Sequence, residues 1–154
     1  TGFFTFRNFR ITDFKEIKKL HSNLRNGYKI NFWRQILFLL LGKYFINIVT
    51  FKNREIVGFQ ILYFKKHDIA KNFIHEAYIG IKSDLKKRGL GSKLRNFSIN
   101  KLKNSKVFGV STQVEFSNKL SLNSALKVGF KIKNKKSKDK NYVLFYKLNC
   151  NDKK

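Results

Sequence analysis

Six residues near the middle of the chain, Lys86-Lys87-Arg88-Gly89-Leu90-Gly91, limit its fold more than any other stretch. Just upstream, Phe73 to Ile81 is rich in β-branched and aromatic residues and reads as a strand. Downstream, Leu90, Leu94, Phe97 and Leu102 return about once per helical turn, with Lys93, Arg95, Lys101 and Lys103 between them. Two glycines therefore stand where a strand gives way to a helix. Glycine lets the backbone turn sharply and approach a ligand closely. The first helical turn offers N–H groups without intrahelical partners and the positive end of the helix dipole, which together hold an anion such as a phosphate. Lys86, Lys87 and Arg88 add full charges at the same spot. The expectation is a diphosphate-binding turn; the plainer account is a capped strand-to-helix connection on a basic protein.

The rest of the chain arranges itself around that turn. Phe3 to Phe9 alternates apolar and polar residues as a first strand. Asp13 and Glu16 have the spacing of a capping box, and Phe14, Ile17, Leu20, His21 and Leu24 then share one helical face until Asn26-Gly27 ends it. A second helix is expected from Asn31 to Leu41, stopping at Gly42, with more apolar residues than one face requires; packing on a sheet is the first explanation, a lipid-touching or acceptor-pocket face the second. Phe45 to Lys52 and Glu55 to Lys65 read as a hairpin turning at Asn53-Arg54, and Lys66 to Lys71 as a polar turn. After the glycine turn come a helix to about Asn104, a strand over Val107 to Val114, and a helix from Asn118 to Val128 with Leu122, Ala125 and Leu126 inward. Gly129 caps that helix, Phe130 to Ile132 begins a strand, Lys133 to Asn141 reads as a solvated loop, and Tyr142 to Leu148 is the last strand. The order is β-α-α-β-β-β-α-β-α-β-β. This is an α/β (α+β) fold with one central mixed, mostly antiparallel sheet flanked by helices, in a single domain over residues 1–148 with a disordered tail over 149–154.

Composition narrows the partners. The chain has 154 residues and 42% hydrophobic content, enough for a folded core and too apolar for a disordered chain. Its formal charge of +25 comes from 34 basic against 9 acidic residues. That charge suits a phosphate-bearing partner such as nucleic acid, a membrane surface or a phosphorylated cofactor. It also suits a genome rich in A and T, whose codons favour the Lys, Asn, Ile and Phe abundant here. The lone Cys150 permits no intramolecular disulfide and no metal-ligand spacing occurs, so a reducing compartment and no metal are expected. No secretory signal is visible, and the most apolar run, Ile36 to Leu41, is far short of the ~20 residues a membrane-spanning helix needs. The chain opens at Thr1 and contains no Met, so it is expected to lack its native start or to begin after a removed tag.

With the glycine turn after the fourth strand, the order of elements resembles the GNAT superfamily of acyl-CoA-dependent N-acetyltransferases over nearly the whole chain. Phe6-Arg7-Asn8-Phe9-Arg10-Ile11-Thr12-Asp13 looks like that family's first strand and helix cap. The family's signature turn is Arg or Gln, two residues, Gly, one residue, then Gly or Ala. Lys86 keeps the cation without the planar fork, Gly89 and Gly91 match, and Ile81 fits the apolar strand end. In the segment Asn118 to Phe130, residues Asn118, Ser121, Gly129 and Phe130 fit a second family pattern. The position that usually holds a Tyr, a candidate acid for the leaving thiolate, is Ala125.

The resemblance implies the following. The cofactor is acetyl-CoA, with its diphosphate on the backbone from Lys86, Lys87 and Arg88 through Gly89, Leu90 and Gly91 to Ser92. The pantetheine arm pairs near Ile79, Gly80 and Ile81, and Asn118 and Ser121 contact it from the next helix. His75 and Glu76 are alternative bases, since adjacent strand residues face opposite ways. Tyr28, Trp33, Phe116 and Tyr142 are candidate walls of the acceptor pocket. The implied activity is acetyl transfer to a primary amine by direct attack in a ternary complex, in the cytoplasm. The acceptor implied is a small molecule such as an amino sugar, with nucleotide-linked sugars of surface-polysaccharide synthesis in view. Protein or aminoacyl-tRNA amines, or a non-catalytic domain binding CoA or nucleic acid, are the alternatives. Oligomeric state is left open, a homodimer included.

Overall fold

The structure is a computed structural model that describes residues 3–136 and 138–148; Cys150 and the expected tail lie outside the described residues. Its strands are β1 (Phe4–Asn8), β2 (Ile46–Phe51), β3 (Glu55–Tyr63), β4 (Phe73–Ile81), β5 (Gly109–Glu115), β6 (Lys131–Lys136) and β7 (Asn141–Lys147). The helices are α1 (Phe14–Leu24), α2 (Phe32–Phe45), α3 (Lys66–Ile69), α4 (Leu90–Lys103) and α5 (Lys119–Val128). Hydrogen bonds order the seven strands β1-β2-β3-β4-β5-β7-β6. The β1–β2, β2–β3, β5–β7 and β6–β7 pairs are antiparallel and β4–β5 is parallel, the mixed sheet expected from the order of elements. The chain's contacts gather into two compact units. One runs to Ile61 and includes Tyr78–Leu90; the other takes Leu62–Ala77 and the chain from Gly91 onward.

In the first unit, Phe9, Ile17, Leu20, Ile46, Ile48, Ile56, Phe59 and Ile61 form a buried core. The Asp13 signal is real but acts one turn early. Its carboxylate accepts from Arg10 N at 2.7 Å and holds the Arg7 guanidinium through two bonds of 2.7 and 2.8 Å, while no side-chain bond caps α1 itself. Burial pushes the Asp13 carboxyl up, yet the Arg7 and Arg10 hydrogen bonds outweigh it and hold it below the usual range. The hairpin bends one residue before the expected place: Lys52 and Asn53 carry φ of 48° and 57°, Arg54 N donates to Phe51 O at 3.1 Å, and the pairing Phe51↔Glu55 leaves a three-residue loop.

Helix α2 differs more. Asn31 caps it, accepting from Arg34 N at 2.9 Å, but Gly42 does not stop it, and the helix continues to Phe45. The glycine is there for space: a Cβ at residue 42 would lie 2.5 Å from Phe9 Cδ1 and 2.7 Å from Cε1. Alanine would gain about 1 kcal/mol of helix propensity and lose roughly 1–3 kcal/mol by forcing a buried ring aside. Gly42→Ala is therefore expected to lower the melting temperature, a result that thermal or urea unfolding would check.

In the second unit, the register pairs Phe73–Glu76 of β4 with Gly109–Thr112 of β5. Asn118 caps α5 by accepting from Ser121 N at 3.1 Å, and Gly129, at φ 112°, ends that helix as the sequence suggests. Leu126, expected inward, is 42% exposed; Ala125 is fully buried. The lysine-rich stretch read as a loop after Ile132 is instead strand β6, exposed at every position and last in the strand order. Lysines on an edge strand keep it soluble and discourage pairing with another chain, so a charge run and a strand are compatible here.

Candidate active site

Strand β4 carries both expected bases, and neighbouring positions meet different fates. Glu76 is 3% exposed and tied into a buried network. Arg95 Nε donates to its two carboxylate oxygens at 3.2 and 3.1 Å, Arg95 Nη2 donates at 2.7 Å and Thr112 Oγ1 at 3.1 Å. Arg95, itself 1% exposed, spends its remaining donors on the Ser121 carbonyl at 3.0 Å, Ser121 Oγ at 3.1 Å and Ser124 Oγ at 2.9 Å. One guanidinium thus joins α4 to β4 and α5. The periodicity of α4 placed Arg95 with solvent-facing lysines; the structure buries it.

His75 is 7% exposed and heads a second chain of polar contacts. Its Nδ1 lies 2.8 Å from Ser111 Oγ, which in turn lies 2.6 Å from Asp68 Oδ2. A carboxylate only accepts, so the serine hydroxyl donates to Asp68 and must accept from Nδ1–H. In the neutral imidazole that leaves the lone pair on Nε2. Burial, then Lys65, push the His75 pKa below its ordinary value, more than Asp68 and Glu76 push it back. The ring is therefore neutral at pH 7 and able to take a proton. His75, Ser111 and Asp68 line a cavity of about 210 Å³ with Gln113, Lys65, His67, Lys136, Val143 and Phe145. The edge of one ring meets the face of the other between Tyr63 and His75, 5.5 Å apart.

The glycine turn is exposed from Lys86 to Gly89, and α4 starts at Leu90. Lys87 and Gly89 both have positive φ, 67° and 73°. A non-glycine residue there stores strain on the order of 1–3 kcal/mol, a state that collects at ligand-binding segments. Gly89 is needed for its backbone alone, since a Cβ would meet nothing within 4 Å. Gly91 sits close to α5: a Cβ there would lie 3.2 Å from Ser124 Oγ, which would have to give by a few tenths of an ångström. Buried Ser92 points its hydroxyl toward the same Ser124 Oγ at 3.3 Å.

Ile79, Gly80 and Ile81 are half-buried at the end of β4. Gly58 on β3 makes room for them, since a Cβ there would lie 2.8 Å from the Gly80 carbonyl. At Gly80 a Cβ would lie 2.6 Å from Tyr78 Oη. Tyr28 joins a cluster with His21, whose ring is 5.8 Å away, and Arg25, whose guanidinium sits 4.8 Å over the tyrosine ring. Trp33 stands 74% exposed against Phe32. Phe116 and Tyr142 pack on each other at 4.5 Å. Among the expected wall residues none lines the His75 cavity, whose aromatic side is Phe145. Ser111 and Asp68 escaped sequence reading because their link to His75 depends on the parallel register His75↔Ser111 and on where α3 returns the chain.

A family model described as "Acetyltransferase (GNAT) family" matches residues 12–130. Among solved structures, a GNAT-family acetyltransferase from Streptococcus pneumoniae superposes with a TM-score of 0.80 at 15% identity, covering 95% of this chain and 99% of that one. A putative acetyltransferase from Salmonella typhimurium, solved with its cofactor acetyl-CoA, gives 0.79 at 14% identity over 96% and 95% of the two chains. The ribosomal-protein-S18-alanine N-acetyltransferase from Escherichia coli gives 0.71 at 15% identity over 94% of each. At such identities the likeness is one of fold. A search of curated protein sequences finds no match.

Proposed function

The chain belongs to the GNAT acetyltransferase family, and on that premise we propose that it is an acetyl-CoA-dependent N-acetyltransferase acting on a primary amine of a small molecule, with His75 as the general base. The observation that carries the assignment of the base is the chain His75–Ser111–Asp68 on the wall of a cavity. An amine must lose a proton to attack, and a neutral imidazole with its tautomer fixed from the Nδ1 side is suited to take it at Nε2. Glu76 is the poorer candidate, since its oxygens already hold Arg95 and Thr112.

The turn fits the diphosphate of acetyl-CoA. Three exposed cations precede a helix N-terminus, and positive φ at Lys87 and Gly89 keeps backbone rather than bulk at the surface. When bound, acetyl-CoA supplies the acetyl group from its thioester, which the amine nitrogen takes directly while the CoA thiolate leaves. Ile79, Gly80 and Ile81 offer strand-end backbone to the pantetheine arm. Asn118, which caps α5, and Ser121, which Arg95 holds, are the contacts assigned from that helix.

An amino sugar carrying a phosphate or nucleotide is the acceptor we favour. The cavity beside His75 has Lys65 and Lys136 for an anion and Gln113 for hydroxyls. Acetyl-CoA at about 100 times its Kd should stabilise the chain by about 2.7 kcal/mol through mass action, seen as a rise in melting temperature. No rise at millimolar ligand would remove the cofactor and with it the proposed activity.

A further inference from the structure

Helix α2 is apolar on two opposite faces, and the described residues cover only one of them. Gly42, Gln35 and Phe38 lie on the inner side, where Gly42 abuts Phe9 and Phe38 packs against the first unit's core. Half a turn away, Trp33, Leu37, Leu40 and Tyr44 follow one another at intervals of four, three and four residues, the spacing of a single helical stripe. They are 74%, 52%, 68% and 60% exposed, and Phe32 and Leu41 widen the band. A contiguous apolar surface of this kind marks an interaction site rather than ordinary exposure.

Its surroundings identify the partner. Arg34 and Lys43 flank the stripe on opposite sides of the same helix, and the Lys43 ammonium lies 4.9 Å over the Tyr44 ring. From Ile17 to Arg54 the chain contains no Asp or Glu. An apolar stripe with a tryptophan near one end, a tyrosine near the other and cations along its borders matches the chemistry of a helix lying in the interface of an anionic bilayer. At 14 residues α2 is shorter than the ~20 that span a bilayer, and among the described residues no helix is long and apolar enough to cross a membrane. A second copy of the chain is a poor occupant. A two-fold contact would bring Arg34 and Lys43 of one copy against the same cations of the other, in a molecule of net charge +25. We propose that the outer face of α2 docks the protein on an anionic phospholipid surface.

Trp33 is the only tryptophan in the chain, so its emission reports on this face directly. The full chain is mixed with vesicles of phosphatidylcholine alone and of equal parts phosphatidylcholine and phosphatidylglycerol. The expected result is a blue shift of Trp33 emission and co-sedimentation with the phosphatidylglycerol vesicles, both weakened by salt. Leu37→Ser with Leu40→Ser, which keeps the reporter and alters only exposed positions, should reduce partitioning by ~10-fold or more, since two apolar side chains no longer enter the interface. Arg34→Gln with Lys43→Gln should weaken binding to the anionic vesicles and leave the folded far-ultraviolet spectrum unchanged. No blue shift and no co-sedimentation would overturn the proposal. So would undiminished binding of the leucine variant, which would assign the attraction to net charge alone. A blue shift without vesicles, accompanied by a dimer mass in sedimentation equilibrium, would give the face to self-association and overturn it too.

Discussion

Replacing His75 by asparagine should lower kcat/KM for acetyl transfer by roughly 10²–10⁴-fold, the range over which a positioned general base contributes. Asparagine can still donate to Ser111, so the buried chain to Asp68 stays satisfied and the melting temperature should move little. The pH profile separates a base from a structural residue. The His75 pKa is lowered, by burial first, so the ring is neutral at pH 7 and becomes protonated only as pH falls through a value below 6.5. Wild-type kcat/KM should therefore drop on that acidic limb, and H75N should have lost the limb rather than shifted it. A variant that keeps near-normal rates and the same acidic limb would assign the proton to another group.

The second large effect concerns stability. Arg95→Leu removes the cation from a carboxylate that is 3% exposed, and breaking one partner out of a buried pair costs about 3–5 kcal/mol. Against a total stability of roughly 5–15 kcal/mol, that is enough to shift the unfolding midpoint far down. The double change Arg95→Leu with Glu76→Leu should recover part of the loss, because no charge is then left without its partner. Glu76→Gln distinguishes the two strand residues. If Glu76 only anchors Arg95, E76Q loses stability and retains measurable acetyl transfer; if it is the base as well, E76Q loses both.

Periodicity and turn chemistry made much of the fold legible. The Gly89 and Gly91 turn stood out because a strand pattern changed to a helical one across two glycines, and Asn118 with Gly129 bracketed a helix by cap chemistry that acts within a few residues. What escaped was decided elsewhere in the chain. Gly42 looked like a helix stop, yet it serves a close approach to Phe9, a contact between residues 33 positions apart. The lysines of β6 looked solvated and are, while their backbone is held by pairing with β7, which a composition rule cannot see. Arg95 looked like one more basic residue on α4 because its partner, Glu76, lies on a strand that pairs with it only in three dimensions.

The candidate site divides along the same line. The strand-to-helix turn was readable because its two glycines sit in one local segment. His75 and Glu76 were readable as alternative bases, while the sequence offered no ground for the preference for His75 proposed above. That preference rests on Ser111 and Asp68, brought to it by the β4–β5 register and by the short helix α3. The excess of apolar residues in α2 was visible as an excess, while the existence of an uncovered face depended on which side met Phe9.

Mass spectrometry of an amine panel incubated with the protein and acetyl-CoA is the most direct test of an N-acetyltransferase. The panel should include amino sugars with and without a phosphate or nucleotide, polyamines and peptide N-termini. The predicted result is one acetylated amine class, with free CoA appearing in equal amount and both signals lost in H75N. Acetyl-CoA that binds but is left intact, or is only hydrolysed, with every amine in the panel would contradict it.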